Sequence, residues 1–185
     1  MNLSPYVKKA LYFAAEKHDG QYRKGGHVPY IVHPVQVAFT ISTYTNNENV
    51  IAAALLHDVL EDCADVSLAI LQNEFNDSTA QIVYEVSLVD SKKYKTWKEK
   101  KKAYLEKIKN ASKNALMIVA ADKMSNMHGY FSALRDKGDL VAKDFGGTTD
   151  EYFWYYVEVG KVLFSILGEH PIVKDYNDIL KFFSK

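Results

Sequence analysis

The segment that most constrains the fold is residues 51–62, which read IAAALLHDVLED. Its first six residues are all apolar, so a helix here is apolar on nearly every side and must be buried by other elements. The last six positions add four ionisable side chains, those of His57, Asp58, Glu61 and Asp62. Because residues four apart lie on the same side of a helix, a continuous helix predicts that all four share roughly one face.

Three carboxylates this close together on a buried helix need a counter-charge. Without one, each would cost several kcal/mol to bury or would be forced to protonate. A bound divalent metal ion supplies that charge, and the partial negative charge at a helix C-terminus also favours a cation. The simpler alternative is that the helix enters solvent at Glu61 and Asp62. The position of His57 and Asp58 inside the apolar run favours the metal.

Further candidate ligands lie elsewhere in the chain. His33 directly precedes Pro34 at an expected helix start, where a histidine could also be a cap. Asp122 ends the apolar run LMIVAAD, so it either pairs with a basic group or binds metal, and Asn126 follows four residues later on the same face. Two imidazoles and two carboxylates would suit Mn²⁺, Fe²⁺ or Zn²⁺, and the sequence leaves the choice open.

The rest of the chain reads as helices joined by short loops. No pair of alternating strand patterns and no hairpin signal is present, so we predict an all-α fold with a single domain, residues 1–185. A second helix should begin at Pro34, a fifth at Asp77 or Ser78, and a last one should cover about residues 172–183. The long helix that follows Ser112 should end at Gly138, with a possible break near Gly129. The expected N-caps are Ser4, Asn47, Ser67, Thr96 with Glu99, Ser112, and Thr148 with Glu151.

Composition excludes several classes of protein. The 23 basic and 23 acidic residues cancel, which argues against a chain-wide attraction for nucleic acid or an anionic membrane. A single cysteine, Cys63, excludes an internal disulfide framework. We predict that Cys63 is a small buried residue. No apolar run is long enough to span a membrane, and the N-terminus lacks the pattern of a signal peptide, so we expect a cytoplasmic protein.

Two local clusters each allow two interpretations. Residues 91–113 contain ten lysines and two glutamates. They form either an electrostatic funnel for a polyphosphate substrate or a solvated helix face, and no motif for reading nucleic acid accompanies them. Residues 152–156 read YFWYY. These rings could wall a nucleotide pocket, but core packing or contact within an oligomer is the favoured interpretation.

Four segments resemble a known family. They are HDGQYRKGGHVPYIVHP at residues 18–34, AALLHDVLED at 53–62, ADKMSNM at 121–127 and TWKEKK at 96–101. They resemble the HD superfamily of metal-dependent phosphohydrolases, and more closely the hydrolase domain of the RelA/SpoT homologues, especially the small alarmone hydrolases. The resemblance extends over about residues 5–165.

This resemblance implies an HD-domain bundle of about eight to ten helices and an activity. The activity is hydrolysis of the 3′-diphosphate of ppGpp or pppGpp, which yields GDP or GTP and pyrophosphate, with Mn²⁺ as the cofactor. By position, the implied metal ligands are His33, His57, Asp58 and Asp122. Glu61 and Asp62 would position and activate the attacking water, and the implied substrate contacts are Arg23, Lys24 and Asn126.

Departures from the family pattern leave the substrate open. His128 stands where long family members usually have arginine. Gly129 stands where they often have threonine. The same fold could therefore act on (p)ppApp or on the 2′-phosphate of NADPH. A third possibility is a nucleotide-sensing or antitoxin-like module with little turnover, although a pure binder would not need Glu61 and Asp62. A chain of 185 residues has room for the hydrolase alone, so we expect no synthetase activity in it.

Overall fold

The computed structural model describes residues 3–24, 27–88, 93–138 and 146–182. Within these ranges the chain forms helices and no β-strand, with one isolated antiparallel bridge between Tyr22 and Pro29. The all-α prediction is therefore confirmed. The helices are α1 (Pro5–Lys17), α2 (Val32–Ser42), α3 (Glu48–Leu56), α4 (Val59–Asp62), α5 (Leu68–Glu74), α6 (Asp77–Val86), α7 (Trp97–Ile108), α8 (Lys113–Lys137), α9 (Thr149–Leu167) and α10 (Pro171–Phe182).

The predicted N-caps are confirmed. At the start of seven of the described helices a side-chain oxygen accepts a backbone N–H that no helical carbonyl can reach. Thr96 with Glu99 and Thr148 with Glu151 form complete capping boxes. The predicted capping side chains belong to Ser4, Asn47, Ser67, Thr96, Ser112 and Thr148. Asn76, which was not predicted, caps α6.

The chain forms two compact units, Met1–Asp90 and Ser91–Lys185. In the first unit, α3 packs against α1, α2 and α6, and α5 packs against α6. The predicted burial of α3 is confirmed, since Ala52, Ala53 and Leu56 are fully shielded from solvent. Small alanine side chains on this helix let three neighbouring helices approach it closely. The prediction that residues 1–185 form a single domain stays a prediction.

In the second unit, α9 packs against α7, α8 and α10. Tyr152, Tyr155 and Tyr156 are buried, which confirms the core interpretation for these three rings. Tyr152 stacks on Tyr130 of α8 at a centroid distance of 4.3 Å. From α10, the Tyr176 hydroxyl donates to the Tyr156 carbonyl oxygen at 2.7 Å.

The predicted break near Gly129 is wrong, because α8 is continuous to Lys137. A glycine inside a helix costs about 1 kcal/mol relative to alanine. Burial of the flanking Met127 and Tyr130, both fully shielded from solvent, outweighs that cost. The helix ends at Gly138, where a φ of 57° suits a residue without a side chain. None of the described helices is long and apolar enough to cross a bilayer.

Candidate metal centre

The candidate site of the first unit is built at a break between two helices. Helix α3 ends at Leu56, His57 and Asp58 form a turn, and α4 begins at Val59. The backbone N–H groups of Glu61 and Asp62 both donate to the Asp58 carbonyl oxygen, at 3.0 and 2.9 Å. The prediction of one continuous helix through these residues is therefore wrong, and the prediction that all four ionisable side chains share one face stays a prediction.

A side chain distant in sequence stabilises this break. Ser87, just beyond α6, is fully buried. Its hydroxyl lies 3.2 Å from the His57 carbonyl oxygen and 2.7 Å from that of Val83. The single hydroxyl proton of Ser87 is thus shared between the Val83 carbonyl and a carbonyl at the end of α3, where the helical hydrogen-bond pattern stops.

The turn brings three of the predicted ligands together. Candidate ligand atoms of His33, His57 and Asp58 all lie within 4.8 Å of one another. The Asp58 Oδ2 atom is 3.1 Å from His57 Nε2 and 3.6 Å from His33 Nε2. The predicted start of helix α2 was Pro34, but the helix begins at Val32. His33 therefore lies in its first turn. Both imidazoles are buried.

The donor chemistry of this cluster fits a divalent metal. His57 Nδ1 lies 2.8 Å from the Ala54 carbonyl oxygen, and a carbonyl can only accept, so Nδ1 carries the proton. In the neutral ring Nε2 then presents its lone pair towards Asp58. Two buried imidazole nitrogens beside a carboxylate oxygen are ligands that Mn²⁺, Fe²⁺ and Zn²⁺ accept.

Tyr30 also belongs to this cluster, and the sequence analysis missed it. Its hydroxyl donates to Asp58 Oδ2 at 2.7 Å. Burial, followed by the negative charge of Asp58, raises the pKa of Tyr30 well above its usual range, so the phenol stays protonated and is the donor. The sequence offers two weak signals, the position of Tyr30 three residues before His33 and its place in the segment 18–34 that resembles the family. Tyrosine is otherwise common in both cores and loops.

The acidic pair lies beside the cluster on α4. The backbone N–H of Leu88 donates to Glu61 Oε1 at 2.7 Å, which anchors one oxygen of that carboxylate. Asp62 is exposed as a residue, but protein partly surrounds its carboxyl group. This partial burial, followed by the negative charge of Asp58, raises the pKa of Asp62. A carboxylate with a raised pKa is a better proton acceptor near neutral pH.

Arg23 and Lys24 lie in the segment between α1 and α2. The Arg23 guanidinium is over the Tyr30 ring, 5.6 Å from its centroid, and Lys24 is exposed. The prediction that both contact substrate is not tested by these positions, and it stays a prediction. The glycines that follow them, residues 25 and 26, lie outside the described residues.

The remaining predicted ligand is in the second unit. Asp122 is buried on α8, forms an ion pair with Lys123, and accepts a hydrogen bond from Asn126. Burial opposes the charge on Lys123, but Asp122 and the nearby hydroxyls of Tyr104 and Tyr155 hold its pKa well above the usual value. The metal-ligand role of Asp122 and the substrate contact of Asn126 stay predictions.

Cys63 is buried as predicted. Its thiol donates to the Lys17 carbonyl oxygen at 3.2 Å, and burial followed by the charge of Asp62 raises its pKa to about 11. At neutral pH Cys63 is therefore less often a thiolate than an ordinary cysteine, which makes it a weak candidate for a nucleophile.

Comparison with known proteins decides the family. A family model described as an HD domain matches residues 10–146. The chain belongs to the HD-domain family. The curated relatives of this HD-domain protein include the guanosine-3′,5′-bis(diphosphate) 3′-pyrophosphohydrolase of Vibrio cholerae, which is 33% identical over 141 residues, 75% of this chain and 20% of the relative. The protein of that name from Borreliella burgdorferi is 29% identical over 191 residues, 97% of this chain and 27% of the relative.

A solved structure matches the HD-domain protein over nearly its whole length. It is that of a metazoan SpoT orthologue that hydrolyses ppGpp, with a TM-score of 0.77 and 26% identity over 99% of this chain and 98% of the other. The resemblance to RelA/SpoT hydrolases is therefore confirmed. The chain spans only about a fifth to a quarter of the length of the curated relatives it matches.

Proposed function

We propose that this HD-domain protein is a metal-dependent hydrolase that removes the 3′-diphosphate of (p)ppGpp and releases GDP or GTP and pyrophosphate. The observation that carries the proposal is the group of His33, His57 and Asp58, in which both imidazoles are buried, with Glu61 and Asp62 adjacent on α4. The similarity to a ppGpp-hydrolysing protein over nearly the whole chain supports the choice of substrate.

In the proposed reaction, a water oxygen forms a bond to the phosphorus nearest the 3′ oxygen, and the bond between that phosphorus and the 3′ oxygen breaks. The ribose 3′ oxygen leaves with a proton, and pyrophosphate is released. A metal ion held by His33, His57, Asp58 and Asp122 would lower the pKa of bound water and polarise phosphoryl oxygens. We propose Mn²⁺ as that ion.

The protein's own groups would orient the reactants and move the proton. Glu61 is anchored by Leu88 and would orient the attacking water. Asp62, whose pKa is raised, would accept its proton. Arg23 and Lys24 would bind the nucleotide, because a guanidinium and an ammonium both suit phosphate oxygens.

Three further expectations belong to the same proposal. The substrate is a small nucleotide polyphosphate, and neither nucleic acid nor a membrane is a partner. The protein works in the cytoplasm, as expected for an alarmone hydrolase. Association into an oligomer stays an open prediction.

The experiment that tests this function separates metal binding from turnover. Replacing both Glu61→Gln and Asp62→Asn should abolish ppGpp cleavage, with a loss of at least about 10²-fold, while Mn²⁺ binding is retained. A control with the same change of charge, Glu16→Gln with Asp65→Asn, replaces two exposed acids of the first unit and should keep both properties.

The substrate is tested in parallel incubations with ppGpp, ppApp and NADPH. Cleavage of ppGpp in preference to the other two supports the proposal. Preferential cleavage of ppApp or NADPH would show that the same site serves another nucleotide. Mn²⁺-loaded protein that cleaves none of the three would contradict an enzymatic function and favour a nucleotide-sensing module.

A further inference from the structure

We infer that Tyr30 is a positioning residue of the metal centre, whose hydroxyl fixes the Asp58 carboxylate so that Oδ2 faces both ligand imidazoles. The inference rests on the proposed metal-dependent function. It assigns a role to a residue outside the ligand set and outside the groups proposed to bind substrate or activate water.

The geometry at Asp58 Oδ2 carries the inference. This oxygen is 2.7 Å from the Tyr30 hydroxyl, 3.1 Å from His57 Nε2 and 3.6 Å from His33 Nε2. A carboxylate oxygen has two lone pairs. The phenol occupies one of them and leaves the other on the side of the two imidazoles. The hydrogen bond therefore selects the orientation of Asp58 in which three donor atoms converge.

Tyr30 is itself held from several sides, as a positioning residue must be. Its ring packs against the ring of His18 at a centroid distance of 4.9 Å and is T-shaped to the ring of His33 at a centroid distance of 5.9 Å. Its backbone N–H donates to the Gln21 carbonyl oxygen at 2.9 Å. His18, which is buried at the end of α1, thus supports Tyr30, and Tyr30 orients Asp58 on the turn after α3.

His18 is fixed in turn. It is 2% exposed, and its Nδ1 lies 2.8 Å from Gln21 Oε1. The amide nitrogen of the same Gln21 side chain donates to the Asp62 carbonyl oxygen at 3.2 Å. The segment that begins at His18 therefore contacts both ends of the acidic turn, Asp58 through Tyr30 and Asp62 through Gln21.

Removal of the hydroxyl has two opposing effects on metal binding. The phenol withdraws electron density from the ligand oxygen, so its loss makes that oxygen more basic. Its loss also releases the carboxylate, which must then be ordered again when a metal binds. Hydrogen-bond partners of metal ligands, when mutated, typically cost 10- to 100-fold in affinity, and we expect the loss of orientation to dominate here.

The test is a titration of the full chain with Mn²⁺ alone, by calorimetry, after treatment with a chelator. Tyr30→Phe should weaken Mn²⁺ binding by about 10- to 100-fold and should lower the metal-free melting temperature by no more than the few degrees expected for the loss of one buried hydrogen bond. The control is Tyr6→Phe in the same unit, which removes a hydroxyl 2.8 Å from Thr79 Oγ1. It should bind Mn²⁺ as the wild type does.

Equal or tighter Mn²⁺ binding by Tyr30→Phe would overturn the inference, as would equal weakening in Tyr6→Phe. Metal-free Tyr30→Phe that does not fold would also overturn it, because the hydroxyl would then be structural. The proposed activity is tested apart from this. Wild type that binds Mn²⁺ without cleaving ppGpp contradicts the activity alone, and wild type that binds no Mn²⁺ contradicts the centre and this inference with it.

Discussion

Metal binding should stabilise the folded protein, and Asp58→Asn should remove that stabilisation without harming the metal-free fold. The donor atoms of His33, His57 and Asp58 already lie within 4.8 Å of one another in one unit, so little rearrangement is needed. An asparagine at position 58 still offers an oxygen to the Tyr30 hydroxyl. The asparagine lacks the negative charge of Asp58, which repels the Asp62 carboxylate and so helps to raise its pKa. Because this repulsion is removed, the metal-free variant should be as stable as the wild type or slightly more stable.

The size of the effect follows from mass action. Mn²⁺ at one hundred times its dissociation constant stabilises the folded state by about 2.7 kcal/mol. For a chain of this length, 1 kcal/mol shifts the melting temperature by about 2–4 °C, so we expect a rise of about 5–11 °C. If Asp58→Asn weakens binding a hundredfold, the same Mn²⁺ concentration contributes only about 0.4 kcal/mol, which is about 1–2 °C.

Thermal unfolding followed by calorimetry, with and without a chelator, measures both quantities. The control is Asp65→Asn, an exposed aspartate that pairs with Lys17 at 2.7 Å and lies outside the cluster. It should keep the full Mn²⁺ shift. The reasoning is refuted if Asp58→Asn keeps the shift, or if its metal-free form melts several degrees below the wild type.

Three further predictions test other parts of the structure. Since the pKa of Cys63 is raised to about 11, its thiolate fraction at pH 8 should be on the order of 100-fold lower than that of an ordinary cysteine. Alkylation followed by mass spectrometry should therefore be at least that much slower than in urea, and equal rates would contradict the burial. Thr96→Ala removes the capping box with Glu99 and should cost about 1 kcal/mol, with faster hydrogen exchange in the first turn of α7; unchanged exchange there would show that the cap is dispensable. Tyr176→Phe removes the hydrogen bond to the Tyr156 carbonyl and should lower the free energy of unfolding in urea by about 0.5–1.5 kcal/mol, whereas a more stable variant would contradict that bond.

Features that depend on nearby residues were predictable from the sequence. The capping side chains act on backbone groups two or three residues away, so their spacing alone identifies helix starts. The burial of α3 followed from an apolar run with no polar face. The grouping of His33, His57 and Asp58 came from the resemblance and from the presence of charged groups inside that run, and the structure brings all three together.

Features that depend on distant residues were not predictable. The turn at His57 and Asp58 is supported by Ser87, thirty residues further along the chain, and no periodicity reveals that contact. The continuous α8 depends on burial around Gly129 that only tertiary packing supplies. The role of Tyr30 depends on its hydrogen bond to Asp58, which is 28 positions away.

The most direct test of the central claim is product analysis after incubation of the Mn²⁺-loaded full chain with ppGpp. We predict GDP and pyrophosphate in equal amounts, and no cleavage when a chelator is present. Release of orthophosphate in place of pyrophosphate, or equal cleavage with and without the chelator, would contradict the account.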